Sequence, residues 1–284
     1  MSFEPTHELR SRFERLVDLA PLPGSSPKAI ERLQGALVSL GDDAELPELI
    51  EQVCRDPALA ARVIGLANSA FFARAVPVET IELASARIGA RRVRRLLFLQ
   101  RVSDALADHR ASPLLEEIWQ RAIAVAHLAE AIADHVDSVD PDRAFASGLL
   151  HDMGSMIIAD RAPELMQSML EPEAGVTVHE YFQRHLGATP TDVGRSAARQ
   201  HDFPSPIAEV MVGYANPRDA DPPVVRVIHV ARALSGMDDR FPILAQDRTE
   251  LAFDVCQSLG LTQEALDSLQ ETAQHWVAVS RSLA

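Results

Sequence analysis

An all-α fold is the class this sequence predicts, on three observations. Apolar residues recur at three- and four-residue spacing along most of the chain, strand-like alternation is nearly absent, and Ala, Leu, Glu and Arg are common where aromatic and β-branched residues are sparse. Taken in order, the periodicity predicts helices over 8–19 and 26–40, then a stripe of Leu46, Leu49, Ile50 and Val53 that must stop before Pro57. In CRDPALAARVIGLANSAFF, Asp56 is placed to cap the next helix, Pro57 suits its first turn, and Leu59, Val63, Leu66 and Ala67 make one apolar face. The small polar residues Asn68 and Ser69 at its end are expected to bond nearby backbone and fix the turn before the following helix. Further helices are expected over 79–88, 90–108, 113–136, 142–155, 161–170, 177–186, 188–201, 205–215, 222–235, 247–259 and 262–282. In the last, Thr262 is a candidate cap and Leu266, Leu269, Ala273 and Trp276 form an apolar stripe. No repeat recurs at a fixed period, and the short, Pro-bearing connections fit a compact bundle. Boundaries are expected at ADHRASP (107–113) and NPRDADPP (216–223). They give an N-terminal helical lobe over 1–110, a second lobe over 111–215 and a C-terminal helical extension over 216–284 packed on it.

A chain of 284 residues, 47% hydrophobic and 24% charged, buries a substantial core. Its formal charge of −14 works against nucleic acid or an anionic membrane as a partner for the surface as a whole. Cys54 and Cys256 stand far apart with no Cys/His cluster near either, and so read as reduced residues of a cytosolic protein. No secretory leader is legible at MSFEPTHELR, and no run approaches the length of a membrane span. The expectation is a cytoplasmic protein without a cofactor.

One short stretch, GLLHDMGSMII (148–158), sets His151 beside Asp152 in an otherwise apolar run. Neighbours on a helix diverge by about 100°, so the two reach a common point only at a helix end or a local distortion. Two ligands are also too few, since zinc wants about four and harder divalent ions about six. A histidine in an apolar run is ordinarily a satisfied core residue, and His127 reads the same way. No catalytic triad, P-loop or dinucleotide fingerprint is present.

In order along the chain, PLPGSSPKAIERL, IEQVCRDPALAARVIGLANSAFF, IELASARIGARRVRRLLF and GLLHDMG resemble the HDOD domain family, over about residues 17 to 215. The resemblance implies an all-helical regulatory domain of bacterial signalling, a degenerate and usually non-catalytic relative of the HD metal-dependent phosphohydrolases. It also implies where ligands of an active site would stand. A first His is expected two residues after a Trp, and here Arg121 follows Trp119. Further histidines are expected at positions held by Pro190, Tyr214 and Ala215. Arg121, His151 and Asp152 therefore read as the remnant of an HD site, with Arg121 expected to pair with Asp152 in the vacated space. Asp56, Pro57, Asn68 and Ser69 belong to the family's most specific block and read as structural.

The remaining feature is SARIGARRVRRLLFLQR, which sets Arg87, Arg91, Arg92, Arg94 and Arg95 close together in an acidic chain. The plain reading is a solvated helix face; the sharper one is a site for an anionic ligand or a protein partner. The function expected is thus a non-enzymatic signalling regulator that binds a protein partner or a small anionic ligand such as a nucleotide second messenger, with a homodimer as a further possibility. The alternatives are a metal-dependent phosphodiesterase using His151 and Asp152, and a DNA-binding regulator working through a helix-turn-helix over 81–97.

Overall fold

The computed structural model describes residues 7, 11, 13, 35–37, 44–69, 71–72, 76–106, 113–168, 178–236 and 254–283. Every regular element among them is helical, and none of those helices is long and apolar enough to cross a membrane. The helices expected at 8–19 and 26–40 lie outside the described residues apart from a few positions. The chain divides into two compact units, one over 26–107 and the other formed for the most part by 108–282.

In the first unit, α1 (Leu46–Cys54) and α2 (Pro57–Ala67) meet at Asp56. Its carboxylate accepts from the backbone N–H groups of Ala58 and Leu59 at 2.9 and 3.1 Å, satisfying donors that the first turn of α2 leaves open. Leu59, Val63 and Ala67 are then buried on one face of α2, and Val53 of α1 is buried as well. Asn68 ends α2 and reaches ten residues ahead: its amide donates to Val78 O at 2.8 Å while its Oδ1 accepts from Val78 N at 2.9 Å. The bond is longer in range than the local turn expected. Ser69, expected to act with it, makes no side-chain hydrogen bond among the described residues. Thr80 Oγ1 caps α3 (Ile81–Ile88) by accepting from Leu83 N at 3.3 Å. A single residue, Gly89 at φ +86°, turns the chain into α4 (Ala90–Leu106). This junction corrects the helix-turn-helix expectation over 81–97. The connection, a single residue, is shorter than the three- to four-residue turn of that motif, and Val93 and the whole run Arg95 to Leu99 of the second helix are buried.

The second unit is built around α5 (Pro113–Ala133), in which every residue from Arg121 to Glu130 is buried. Helix α6 (Pro141–Leu150) packs tightly against it, because a Cβ on Gly148 would stand 2.7 Å from Ala126 Cα. The helix expected over 142–155 is in fact two. The chain leaves α6 at His151, turns at Asp152 and re-enters helix as α7 (Met153–Arg161), followed by α8 (Pro163–Ser168) and α9 (Val178–Leu186). Periodicity could not locate the break, since residues 144–159 are all buried and no polar face marks the phase. Helix α10 (Pro190–Gln200) starts at a capping box in which Thr189 and Asp192 satisfy each other's backbone N–H groups. Its first turn lies hard against α7 at Gly154. Helices α11 (Ser205–Gly213), α12 (Pro223–Ser235) and α13 (Gln263–Leu283) follow, with a short helical stretch over 254–258 ahead of the last. Ile132, Val225, Ile228, Leu269 and Ala273 share one core, so α12 and α13 pack with α5. There Trp276 lies flat on the buried ring of His127, with centroids 3.6 Å apart, which gives His127 a packing role.

Candidate functional site

The break between α6 and α7 resolves the geometric difficulty of an adjacent His-Asp pair. With His151 ending one helix and Asp152 beginning the next, the two side chains are freed from helical divergence, and both are 1% exposed. His151 Nδ1–H donates to Gly148 O at 2.7 Å, the carbonyl fixing that tautomer. Its Nε2 is therefore a lone-pair acceptor, and it is buried without a hydrogen-bond partner among the described residues.

Asp152 stands at the N-cap position of α7 but caps no backbone N–H. Its carboxylate is taken instead by side chains from three other places. Arg121 Nη2 on α5 donates to Oδ2, Ser155 Oγ one turn ahead donates to Oδ1, and Tyr214 O–H, just past α11, donates to Oδ1 at 3.0 Å. Arg121 is 6% exposed, so this is a buried charge pair. The Tyr214 ring meets the His151 ring edge-on at 4.9 Å, and the Arg232 guanidinium of α12 lies 5.1 Å from the tyrosine centroid. Arg121, His151 and Asp152 are thus brought together as one cluster. Ser155 and Arg232 join it without having been singled out in the sequence, and Tyr214, noted there only as a weak phenol, is a direct partner of the carboxylate. A serine one helical turn after Asp152 was a readable local signal; Arg232, 80 positions away, left none.

The electrostatics follow from burial and these neighbours. Burial acts to raise the Asp152 carboxyl, but the guanidinium of Arg121, with help from His151, Arg232 and the Ser155 hydrogen bond, outweighs it and holds the group at about 2. Burial lowers His151 from 6.5 to about 4, with the nearby arginines adding to the effect and Asp152 opposing it. Burial, reinforced by the adjacent carboxylate, raises Tyr214 well above the usual phenol value, so it remains a donor. At neutral pH the site holds a neutral imidazole, a phenol, an ionised carboxylate and two guanidinium groups.

His151 then has a definite pH signature. Its folded value lies below its unfolded one, so the unfolded chain takes up a proton between pH 6.5 and 4 that the native chain refuses, and stability falls with pH across that window. The loss amounts to about 3 kcal/mol. Urea denaturation at a series of pH values should show this slope in the wild type and a flatter one in His151→Gln; equal slopes would remove the histidine from the account.

The donor set does not fit a divalent metal ion. The acceptor atoms of Asp152 are already engaged by cationic and hydroxyl donors, Arg121 places a positive charge beside them, and no group of three or more His, Cys, Asp or Glu suited to hold a metal occurs among the described residues. His151 Nε2 is the one atom of the cluster with ligand character and no hydrogen-bond partner.

The five arginines of the other unit stand in different surroundings. Arg95 is 1% exposed and turned into the core. Arg87, on α3, donates to Val76 O at 2.8 Å, Ala67 O at 3.3 Å and Asn68 Oδ1 at 3.4 Å, tying α3 to the end of α2 and to Val76. Arg92 donates to Ile88 O at 3.2 Å and stacks on Phe72 at 5.0 Å. Arg91 is exposed and Arg94 half-buried.

The HDOD domain family model matches residues 24–217. Among solved structures, an HDOD domain protein of unknown function from Geobacter sulfurreducens is 22% identical, with a TM-score of 0.71 over 97% of this chain and 99% of its own. A Shewanella amazonensis SB2B protein provisionally named a phosphohydrolase is also 22% identical, with a TM-score of 0.66 over 96% and 98%. A Marinobacter aquaeolei VT8 protein provisionally named for signal transduction, again 22% identical, has a TM-score of 0.62 over 98% of this chain and 63% of its own. These likenesses establish the fold. An uncharacterised Treponema pallidum protein is 24% identical over 277 residues, 92% of this chain and 51% of its own, so the chain spans about half the length of that curated relative.

Proposed function

The chain belongs to the HDOD domain family, and on that premise we propose that it is a non-enzymatic regulator in bacterial signalling, acting by binding a protein partner or a small anionic ligand. The observation that carries this reading is the buried Arg121–Asp152 pair. In an HD hydrolase the aspartate must give its oxygens to metal; here a guanidinium, a hydroxyl and a phenol hold them. The cluster is a packed polar junction between α5, α7 and the end of α11, and its chemistry is that of a fixed structural charge pair.

A second reading is favoured by one atom. The lone pair on His151 Nε2 is buried and makes no hydrogen bond, as a retained metal ligand would before its ion arrives, and it keeps a metal-dependent phosphodiesterase as the alternative. Elemental analysis of the purified protein, followed by phosphodiesterase assays with manganese, magnesium and iron, separates the two. Protein without bound metal and without turnover is the expected result. Metal near one equivalent with turnover, both lost in His151→Ala, would establish the hydrolase instead.

A further inference from the structure

A cleft of about 430 Å³ in the second unit is lined by the second half of α10, by α11 and by the start of α12, and it shares no residue with the Asp152 cluster. Its volume suits a small organic molecule better than a bare ion. Ala208, Val212 and Val225 give it an apolar lining. Gly213 keeps that wall thin, because a Cβ there would stand 2.9 Å from Val225 Cγ1 and 3.5 Å from Asp221 Oδ2. Three arginines line the same cleft, Arg195, Arg199 and Arg218, with two carboxylates, Glu209 and Asp221. Two of the arginines already hold a carboxylate of the chain itself. Arg195 Nη1 donates to Asp192 Oδ1 at 2.9 Å, and Arg218 donates to Asp221 Oδ1 from Nη2 at 2.8 Å and from Nε at 3.2 Å. Glu209 in turn accepts from Ser205 Oγ at 2.7 Å. Arg199, one turn after Arg195 on α10, is exposed and makes no hydrogen bond or ion pair among the described residues. A lone exposed arginine needs no explanation. One that lines a concavity with apolar walls, between two others that each grip a carboxylate, has the composition of a site for an oxyanion on an apolar body.

We propose that this cleft binds a small organic carboxylate, its oxygens on the Arg199 fork and its apolar body against Ala208, Val212 and Val225. The inference rests on the reading of this chain as a binding module, and gives that module a ligand class and a place. A carboxylate fits better than a phosphate monoester, which carries about −1.5 to −2 near neutral pH, because Glu209 and Asp221 repel the ligand in proportion to its charge. Helices α11 and α12 both begin at the cleft, behind Pro204 and Pro222 and without a side-chain cap, so their positive ends add to the attraction of the guanidinium.

The test titrates para-fluorobenzoate into the full chain and follows it by fluorine NMR, with para-fluorobenzyl alcohol and para-fluorophenyl phosphate as the neutral and more highly charged comparisons. The benzoate should bind, and the other two should bind roughly fivefold more weakly or less. Arg199→Glu is the decisive variant. Because the residue is exposed and makes no contact that the fold uses, its melting temperature should hold while affinity for the benzoate falls roughly tenfold or more. Arg199→Lys keeps the charge without the planar fork and should retain part of the binding. Ala208→Leu fills the concavity, leaves every charge in place and should also weaken binding; it stands in should Arg199→Glu fold poorly. No binding to the wild type, full affinity in both Arg199→Glu and Ala208→Leu, or equal binding of the alcohol would overturn the proposal, and tighter binding of the phosphate would overturn the choice of carboxylate. None of these measurements uses turnover or a protein partner, so their failure strikes the cleft alone and leaves the non-catalytic reading to the metal and phosphodiesterase measurements.

Discussion

Gly154→Ala is expected to be among the most damaging single-methyl additions in this chain, costing about 4 kcal/mol or more of stability and lowering the melting temperature by roughly 10 °C. A Cβ at this position would sit 1.8 Å from the carbonyl oxygen of Pro190 and 2.9 Å from Gly194 N. Those are backbone atoms of the first two turns of α10, whose start the Thr189–Asp192 capping box fixes, so the obstruction has no flexible end that can swing away. Relief requires α7 and α10 to separate, and α7 begins at Asp152. The damage should therefore spread into the buried cluster. Gly65→Ala is the matched control: it lies inside α2 with nothing within 4 Å of the added carbon, and it should stabilise by about 0.5–1 kcal/mol because only the helix propensity changes. Thermal melts of the two variants check both signs. A near-neutral Gly154→Ala would show that α7 and α10 do not approach as closely as described.

Arg121→Leu should cost about 3–5 kcal/mol, because it leaves Asp152 buried without its counter-charge. The pH dependence is the sharper readout. In the wild type the folded value of Asp152 lies near 2, below the ordinary 3.8. Its contribution is thus present above about pH 4 and lost as pH falls toward 2. Without Arg121, burial becomes the governing influence and pushes the carboxyl above its unfolded value. The native state then holds a proton that the unfolded chain has released, so stability is lost as pH rises through the new value. The slope between pH 4 and 7 should differ from that of the wild type in this direction, which guanidinium denaturation across the range would reveal. Arg121→Met combined with Asp152→Leu removes both charges and should recover most of the loss. If the double variant is no better than the single one, the pair is not the unit that holds this junction.

Much of this was legible in the sequence, and the reasons differ by residue. Asp56 before Pro57 announced a capped helix because capping is local chemistry, readable within four residues. Arg121 was visible because it follows Trp119 where the family resemblance implies a histidine. The break at residues 151–152 was not, since a segment buried on all sides has no amphipathic phase to lose. Nor was the burial of Arg95: helical spacing in a run of arginines sorts them into faces but does not say which face meets the core. The close approach of Gly154 to Pro190 joins residues 36 positions apart, and only the packed structure brings them together.

The Arg121–Asp152 pair also sets which substitutions this junction can absorb one at a time. Exchanging Arg121 alone, for a metal-binding side chain or an apolar one, removes the counter-charge that Asp152 has in this structure, so a single change here is costly and only paired changes are cheap. Residues on the surface, which do not touch this pair, can change singly without that cost.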